Sequence, residues 1–325
     1  AASNPVTERS RSAGLLAAAS IPQLLNQIIP MKSNLINHYL ILLLLVALSS
    51  CASIKPSFMY SGATEAPSPV TFTNTTAKPA ETYHWDFGDG NTSEEASPVH
   101  AFLASGTYTV KLTAKSGSKS KTFEDKVSIK APKVCLVMIE TDFGNMLVRL
   151  SDGTPKHRDN FLKLAEQGYY DGTLFHRVIS GFMIQGGDPN SKNAKPGQAL
   201  GMGDPGYTIE AEFVDSLVHV KGALAAARTN NPQKRSSGSQ FYIVHGSPTS
   251  EAQLNQVEGA RNFRYSKAQR DAYQKSGGTS MLDREYTVFG QVIQGLDVID
   301  KIAAQATNPG DRPVKDVKMK VKVIK

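Results

Sequence analysis

The segment 175–188, FHRVISGFMIQGGD, places a guanidinium close to apolar side chains and an amide. Arg177 stands a few residues before Phe182 and Met183, and Gln185 follows shortly after them. A fixed cation beside apolar groups suits a site that binds an apolar ring and contacts one polar atom of it. Glycines at 181, 186 and 187 allow the backbone to turn or to approach a ligand closely. The segment therefore predicts a binding surface for a small ring.

This segment resembles the signature of the cyclophilins, which are peptidyl-prolyl isomerases that act on X-Pro bonds. Further stretches with the order and spacing of that family lie at 141–150, 154–177, 222–229, 236–244 and 286–302. The resemblance covers residues 134–325. It implies a mainly β fold, a closed eight-stranded antiparallel β-barrel capped by helices, whose substrates are proline-containing polypeptides. The implied reaction requires no cofactor, metal, nucleophile or general base.

The resemblance also implies a role for each residue of the site. Arg177 would be catalytic, and Gln185 would hold the substrate backbone and help to orient Arg177. The pocket for the proline ring would consist of Phe182, Met183, Tyr242 and Leu282. The groove for the residues before the proline would be lined by Ala227, Arg228 and Gln240, with Tyr286 at its far rim.

Three nearby residues are expected to have supporting or structural roles. His176 is expected to be a supporting hydrogen-bonding residue rather than an acid or base. His157, in the stretch TPKHRDN, is expected on the surface of a helix. Phe241 is expected in the core, as most aromatic residues of such strands are.

Four positions depart from the familiar pattern of the family. Met281 stands where many members have Trp, and Tyr242 where Phe is usual. Tyr286 replaces a usual His, and both tyrosines keep an aromatic wall while adding a hydroxyl. Arg228 replaces the Asn of eukaryotic members and is expected to make the groove more positive.

An insertion at residues 247–278 is longer than the compact family needs. Its charged, Gln-rich composition predicts helix, with Ser266 as a cap and Gly277 as a stop. Because it directly precedes substrate-lining residues, it is a candidate lid or partner surface. A solvated insertion without such a role is the alternative, and the sequence leaves both open.

A separate pattern of alternating strands precedes the isomerase-like region. YHWDFGDG at 83–90 and HAF…GTYTV at 100–110 resemble the signature of a PKD domain, an immunoglobulin-like β-sandwich, over residues 57–131. Trp85 is expected in its core. Asp86 and Asp89 could bind calcium, but their spacing matches no recognised loop, and a polar turn is favoured. The domain is interpreted as a spacer or as a protein or glycan contact module.

The N-terminal region has the features of a targeting signal. Lys32 precedes an apolar run at 39–48, which is short for a membrane span of about 20 residues and typical of a secretory signal. Residues 48–51, LSSC, resemble the bacterial lipoprotein box, so we expect 31–50 to be a signal peptide and Cys51 to be lipidated, with 51–56 as the linker. Lipidation would anchor the protein in the cell envelope, periplasmic or at the outer membrane. An uncleaved single-span anchor is the alternative, and residues 1–30 are interpreted as a non-native or mis-assigned extension.

The formal charge of +7 raises the question of a nucleic-acid partner. Much of the basic excess lies at 317–325, VKMKVKVIK, where apolar residues and lysines alternate as in a strand with one solvated face. No basic patch interleaved with aromatic residues is present, so no nucleic-acid partner is expected. The second cysteine, Cys135, is expected to be buried in a strand, and no disulfide is expected.

Two functions from different classes fit these features. The first is an envelope isomerase that accelerates the folding of exported proteins. The second is a non-catalytic adaptor that binds proline-containing partners. Arg177, Phe182, Gln185 and Gln240 together favour the enzyme, because binding alone does not need Arg177.

We predict that cyclosporin binds this protein weakly, because the Trp that commonly helps to bind it is replaced by Met281. A cyclosporin titration of isomerase activity measures this, and the uninhibited rate serves as the control. Tight inhibition would contradict the prediction.

Overall fold

The computed structural model describes residues 53–62 and 64–325. The expected extension at 1–30, the signal peptide at 31–50 and the lipidated Cys51 lie outside these residues. Within the described ranges, no helix combines the length and the apolar character needed to cross a membrane.

The first domain is a sandwich of two antiparallel sheets. One sheet has the order β1-β2-β5, with β1 at Phe58–Gly62, β2 at Pro69–Asn74 and β5 at Val99–Ala101. The other has the order β4-β3-β6-β7, with β3 at Thr82–Asp86, β4 at Thr92–Ser93, β6 at Gly106–Ser116 and β7 at Lys119–Ile129. In β2 and in the middle of β6, alternate residues are buried, as expected for strands with one face in a core.

Trp85 lies in the core of this sandwich, as the sequence predicts. Its ring centroid is 5.1 Å from that of Phe58 and 5.5 Å from that of Phe72. The indole Nε1 donates a hydrogen bond to the carbonyl of Glu95 at 2.9 Å, so the buried polar atom is satisfied. Asp89 belongs to a polar turn, where its carboxylate accepts from the Asn91 N–H and contacts His100 Nε2.

The second domain contains one eight-stranded antiparallel sheet with the order β10-β11-β15-β13-β16-β9-β8-β17. Its strands are β8 at Leu136–Thr141, β9 at Gly144–Leu150, β10 at Arg177–Ile179, β11 at Met183–Gly186, β13 at Ala223–Ala226, β15 at Phe241–Val244, β16 at Val288–Gln294 and β17 at Met319–Ile324. A separate two-stranded ribbon joins β12 at Thr208–Ile209 to β14 at Ser236–Ser237.

The prediction of a closed barrel is not confirmed, because the strand pairing describes a curled half-barrel. Its edge strands β10 and β17 do not pair with each other within the described part of the chain. The segment before the short β10 runs beside the start of β17. The Gly172 N–H donates to the Met319 carbonyl, the Met319 N–H to the Thr173 carbonyl and the Phe175 N–H to the Val317 carbonyl, each at 2.9 Å, and an isolated bridge joins Leu174 to Lys318. These hydrogen bonds connect the two ends of the sheet.

Two helices cover the core enclosed by the curled sheet. Helix α1 spans Pro155–Glu166 and helix α4 spans Leu296–Ala303. They bury apolar residues against the inner face of the sheet, namely Phe161, Leu164, Ala165, Val298, Ile299, Ile302 and Ala303. Phe241 is buried in the same core, as expected. Helices α2 at Glu251–Arg261 and α3 at Lys267–Ser276 lie in the insertion.

Two expectations about burial are wrong. His157 is only 2% exposed, because Glu212 lies against α1. The carboxylate of Glu212 accepts a hydrogen bond from the backbone N–H of His157. The ring also contacts Glu212 at 2.7 Å through Nδ1 and Ser236 at 3.0 Å through Nε2, and burial lowers its pKa although Glu212 acts in the opposite direction. Cys135 is half-buried and directly precedes β8 rather than lying within a strand.

The sandwich packs directly against the outer face of strands β8, β9 and β17. Leu136, Leu147 and Ile324 of these strands belong to the same buried cluster as the core of the sandwich. The last residue adds backbone contacts, since Lys325 N–H donates to the Leu103 carbonyl at 3.4 Å and Ser105 N–H donates to the Lys325 carbonyl at 2.5 Å. The PKD domain therefore covers apolar surface of its neighbour.

We predict that Ile324→Ala destabilises the protein by about 2–5 kcal/mol, because it leaves a cavity between the two domains. Urea unfolding of both proteins measures the difference in the free energy of unfolding. Lys320→Ala on the same strand is the control, since Lys320 is exposed and its substitution should change stability by less than about 0.5 kcal/mol. An equally small effect of Ile324→Ala would show that the sandwich does not cover this residue.

Candidate functional site

The pairing register of four strands sets four side chains in one row across the sheet. Arg177 on β10 pairs with Gln185 on β11, which pairs with Tyr242 on β15. Tyr242 in turn pairs with Ala225 on β13. Directly opposed residues of antiparallel strands project from the same face. We call these four residues the site row.

The site row belongs to the outer face of the curled sheet. Ile184, Ile243 and Leu224 alternate with the site row and lie in the inner core. On the outer face, Met183, Ala227 and Tyr242 are buried in a second cluster, and half-buried apolar side chains pack against it. That cluster brings together the predicted pocket and rim residues Phe182, Met183, Tyr242, Leu282 and Tyr286.

Arg177 lies at the end of the site row, with 43% of its side chain exposed. Its Nε donates to Asp311 Oδ2 at 3.3 Å. The terminal nitrogens Nη1 and Nη2 have no protein partner among the residues that the structure describes. The guanidinium thus contacts Asp311 through Nε, and its tip makes no hydrogen bond to the described residues, on the same face of the sheet as the apolar cluster.

Sequence reasoning missed Asp311 as the partner of Arg177. Asp311 has φ +67°, and its carbonyl accepts from the Val178 N–H on β10 at 2.8 Å. The turn signal NPGD at 308–311 was the only local hint of this residue. The Gln185 amide donates to Gln240 Oε1 at 3.1 Å rather than contacting Arg177. The prediction that Gln185 orients Arg177 is therefore not supported by a hydrogen bond.

Gln240 holds the loop at 201–203 beside the site row. Its amide nitrogen donates to the carbonyls of Gly201 at 2.9 Å and Gly203 at 2.7 Å. Gly187 lets the backbone at residues 239 and 240 lie close to it, because a Cβ at position 187 would be 2.3 Å from the Ser239 carbonyl oxygen. The result is a cleft of ≈ 200 Å³ lined by Gln185, Met202, Tyr207, Ala227, Arg228 and Gln240 among others.

Arg228 lines this groove and shares the carboxylate of Glu285 with Lys234 and Arg261, so the expectation of a more positive groove stays a prediction. Its Nη2 pairs with Glu285 Oε2 at 3.2 Å, its Nε donates to the Glu285 carbonyl, and its guanidinium lies 4.6 Å from the Tyr286 ring centroid. Burial alone would raise the pKa of Glu285, but Lys234, Arg261 and Arg228 together hold it below its usual value. The side chain of Arg228 therefore supports the rim residue Tyr286.

The Tyr242 hydroxyl lies behind the pocket, away from solvent. It contacts His219 Nε2 at 3.0 Å, and the residue is 4% exposed. Burial, followed by the nearby Tyr286 and Asp283, raises the pKa of Tyr242 well above its usual value. The hydroxyl therefore stays protonated and acts as a donor. No sequence signal linked His219 to the site.

The expected supporting role of His176 stays a prediction. The residue is buried, and both ring nitrogens lack a partner within the described residues. Burial lowers its pKa, although Asp188 acts in the opposite direction, so the ring is neutral near pH 7. It lines an open cleft of ≈ 730 Å³ together with Arg177 and Gln185.

The site offers a guanidinium donor, an apolar pocket and two amides. In the described residues, no group of three or more His, Cys, Asp or Glu side chains is placed to hold a metal ion. Met281 contributes a side chain that is 65% exposed beside the pocket residue Leu282. The arrangement can hold an apolar ring and donate hydrogen bonds to an atom at its edge.

Comparison with known proteins gives relatives for both domains. The family described as cyclophilin type peptidyl-prolyl cis-trans isomerase/CLD matches residues 136–323, and the PKD domain family matches residues 56–131. A protein of Staphylococcus saprophyticus named peptidyl-prolyl cis-trans isomerase is 37% identical over 193 residues, which cover 58% of this chain and 90% of that protein. A Staphylococcus aureus protein of the same name is 38% identical over 185 residues, covering 56% of this chain and 87% of that protein.

A longer relative comes from Streptococcus pyogenes and is named bifunctional phosphatase/peptidyl-prolyl cis-trans isomerase. It is 41% identical over 184 residues, which cover 56% of this chain but only 37% of that protein. The match to the isomerase family alone spans more than half of the present chain. The protein therefore belongs to the cyclophilin-type peptidyl-prolyl cis-trans isomerases, with a PKD domain preceding its isomerase domain.

Proposed function

We propose that this protein is an envelope isomerase that accelerates cis–trans exchange of X-Pro bonds in exported polypeptides, with Arg177 as the catalytic donor. One observation carries the proposal. The Arg177 guanidinium contacts Asp311 on the sheet face that carries the apolar pocket, while its terminal nitrogens have no protein partner within the described residues.

The barrier to X-Pro rotation comes from amide resonance and amounts to about 20 kcal/mol. When the bond twists, resonance is lost and the proline nitrogen regains a lone pair that can accept a hydrogen bond. A donor that meets this lone pair stabilises the twisted state more than either planar isomer, and only such differential binding accelerates the reaction. Arginine suits the role because it remains charged at neutral pH and its guanidinium is rigid.

The other residues would hold the substrate on both sides of the rotating bond. The apolar pocket would fix the proline ring, and Gln185 would bind the substrate backbone. The cleft beside Gln240 would receive the residues before the proline. Fixing both ends favours rotation about the one bond that lies between them.

The rival function is a non-catalytic adaptor that binds proline-containing segments. It would use the same pocket and cleft, but it gives no reason for a guanidinium whose terminal nitrogens have no protein partner within the described residues. Fold alone does not decide between the two functions. A measurement of isomerase turnover distinguishes the enzyme from the adaptor.

We further propose that the protein is lipid-anchored through Cys51 in the cell envelope. The sequence LSSC after a short apolar run supports this, and multiple hydrocarbon chains anchor a protein stably. The PKD domain would then lie between anchor and enzyme, with protein or glycan contacts as its further proposed use. Clients in this compartment would be exported polypeptides.

Arg177→Ala is expected to lower kcat/KM for an Ala-Pro peptide by about 10²–10³-fold, because it removes one preorganised donor from the transition state. Arg177→Lys should recover little of the rate, since an ammonium lacks the planar fork. Exchange spectroscopy by NMR measures both rates. Arg149→Ala is the matched control, because Arg149 is an exposed arginine on β9, outside the site.

Two results would count against this assignment. Unchanged turnover in Arg177→Ala would remove Arg177 from catalysis. A folded wild-type protein that binds the peptide without accelerating exchange would establish the adaptor instead.

Cys51→Ser is expected to move the protein from the membrane fraction to the soluble fraction, because no thiol remains at the lipidation position. Fractionation with metabolic fatty-acid labelling measures this, and Cys135→Ser is the control that keeps its label. Retention of unlabelled Cys51→Ser protein in the membrane would favour the uncleaved single-span anchor.

A further inference from the structure

The insertion at 247–278 is a packed unit with its own small core. Leu254, Phe263, Tyr265 and Tyr273 are buried together against Val218 of the main domain. Both helices begin with capping boxes, Ser250 with Gln253 and Ser266 with Gln269, and Gly277 caps the end of α3. At its base, Ser247 and Gly278 exchange backbone hydrogen bonds of 3.2 and 2.9 Å. The insertion is thus tied to the fold at both ends.

The side chain of Asp283 joins this unit to the site. The residue is 1% exposed, and its carboxylate accepts four hydrogen bonds. Tyr265 and Tyr273 of the insertion each donate a hydroxyl to Oδ2 at 2.6 Å. The backbone N–H of His219 donates to Oδ1 at 2.8 Å, and His219 Nδ1 contacts the same oxygen at 2.7 Å. A buried carboxylate is stable only when several donors bind it, and two of the four donors here belong to the insertion.

The two tyrosines stay protonated at neutral pH and act as donors. Burial is the largest cause that raises the pKa of Tyr273 and of Tyr265, and the neighbouring Asp283 raises both further. Their hydroxyls therefore stay protonated and remain directed at the carboxylate.

His219 carries the connection from Asp283 to the pocket. One ring nitrogen, Nδ1, lies against the carboxylate, and the other, Nε2, points towards the pocket wall. The Tyr242 hydroxyl lies 3.0 Å from that nitrogen. A continuous chain of hydrogen bonds thus runs from the insertion to the central aromatic residue of the site row.

Arg261, at the end of α2, holds the neighbouring pocket segment by its backbone. Its Nη1 donates to the Asp283 carbonyl and its Nη2 to the Met281 carbonyl, both at 3.0 Å. It also pairs with Glu285 at 2.6 Å. These contacts fix the segment 281–286, which presents Leu282 and Tyr286 to the pocket.

We propose that the insertion is a positioning element for the proline pocket, acting through Asp283 on Tyr242 and on the segment 281–286. Tyr265, Tyr273, Arg261 and His219 are positioning residues in this account, because they lie behind the pocket wall. The proposal rests on the proposed function, since it takes that pocket as the place where proline binds. It assigns the insertion a supporting role rather than that of a lid or a partner surface.

The test removes only the two hydroxyls, in the double variant Tyr265→Phe with Tyr273→Phe. We expect the Kd of an Ala-Pro peptide to rise about 3- to 10-fold, as for residues that modulate a site without touching its ligand. Titration by NMR measures the Kd, and thermal unfolding measures Tm in parallel. Tyr108→Phe is the matched control, because it deletes a hydroxyl that donates to the Ala104 carbonyl at 2.8 Å in the sandwich. Its Kd should equal that of the wild type.

A double variant that loses Tm but keeps the wild-type Kd within about 2-fold would overturn the proposal, since the network would then be structural only. If the double variant does not fold, Arg261→Gln carries the test with the same expected rise in Kd, because its side chain lies nearer the surface. The readout is binding, so it stays informative even if the wild type fails to accelerate exchange. That failure would remove the proposed function while leaving the positioning of the pocket measurable.

Discussion

The site depends on the antiparallel register of strands β10, β11, β15 and β13. This register sets Arg177, Gln185, Tyr242 and Ala225 side by side on the outer face, while Ile184 and Ile243 fill the core. A slip of one residue in any pair would exchange the two faces, burying polar groups and exposing core residues. The same hydrophobic pattern that folds the sheet therefore fixes which side chains face a substrate.

Support for this row comes from outside the sheet, and each supporting contact spans a long stretch of chain. The turn at 308–311 brings Asp311 to Arg177, the 201–203 loop is held by Gln240, and the insertion reaches Tyr242 through Asp283 and His219. Such preorganisation is what a catalyst of amide rotation needs, because the reaction depends on differential binding. The PKD domain covers the opposite part of the sheet, where Leu136 and Ile324 would otherwise be exposed.

The sequence was sufficient for the two domain types and for the residues that gather at the pocket, because both appear as local patterns. It was insufficient for contacts between distant positions. Arg177 and Asp311 are separated by 134 positions, and His219 and Asp283 by 64. The burial of His157 had a local signal, since it precedes the buried Phe161 by one helical turn and shares its face. How the two ends of the sheet meet could not be predicted, because strand patterns do not record it. The catalytic and binding roles themselves stay predictions.

The most direct test of the account is a crystal structure of the protein with a bound peptide that contains an Ala-Pro bond. We predict that the proline ring lies against Met183 and Tyr242, with a terminal nitrogen of Arg177 within hydrogen-bonding distance of the proline amide. A proline bound elsewhere, or an Arg177 guanidinium turned away from the X-Pro bond, would contradict the account.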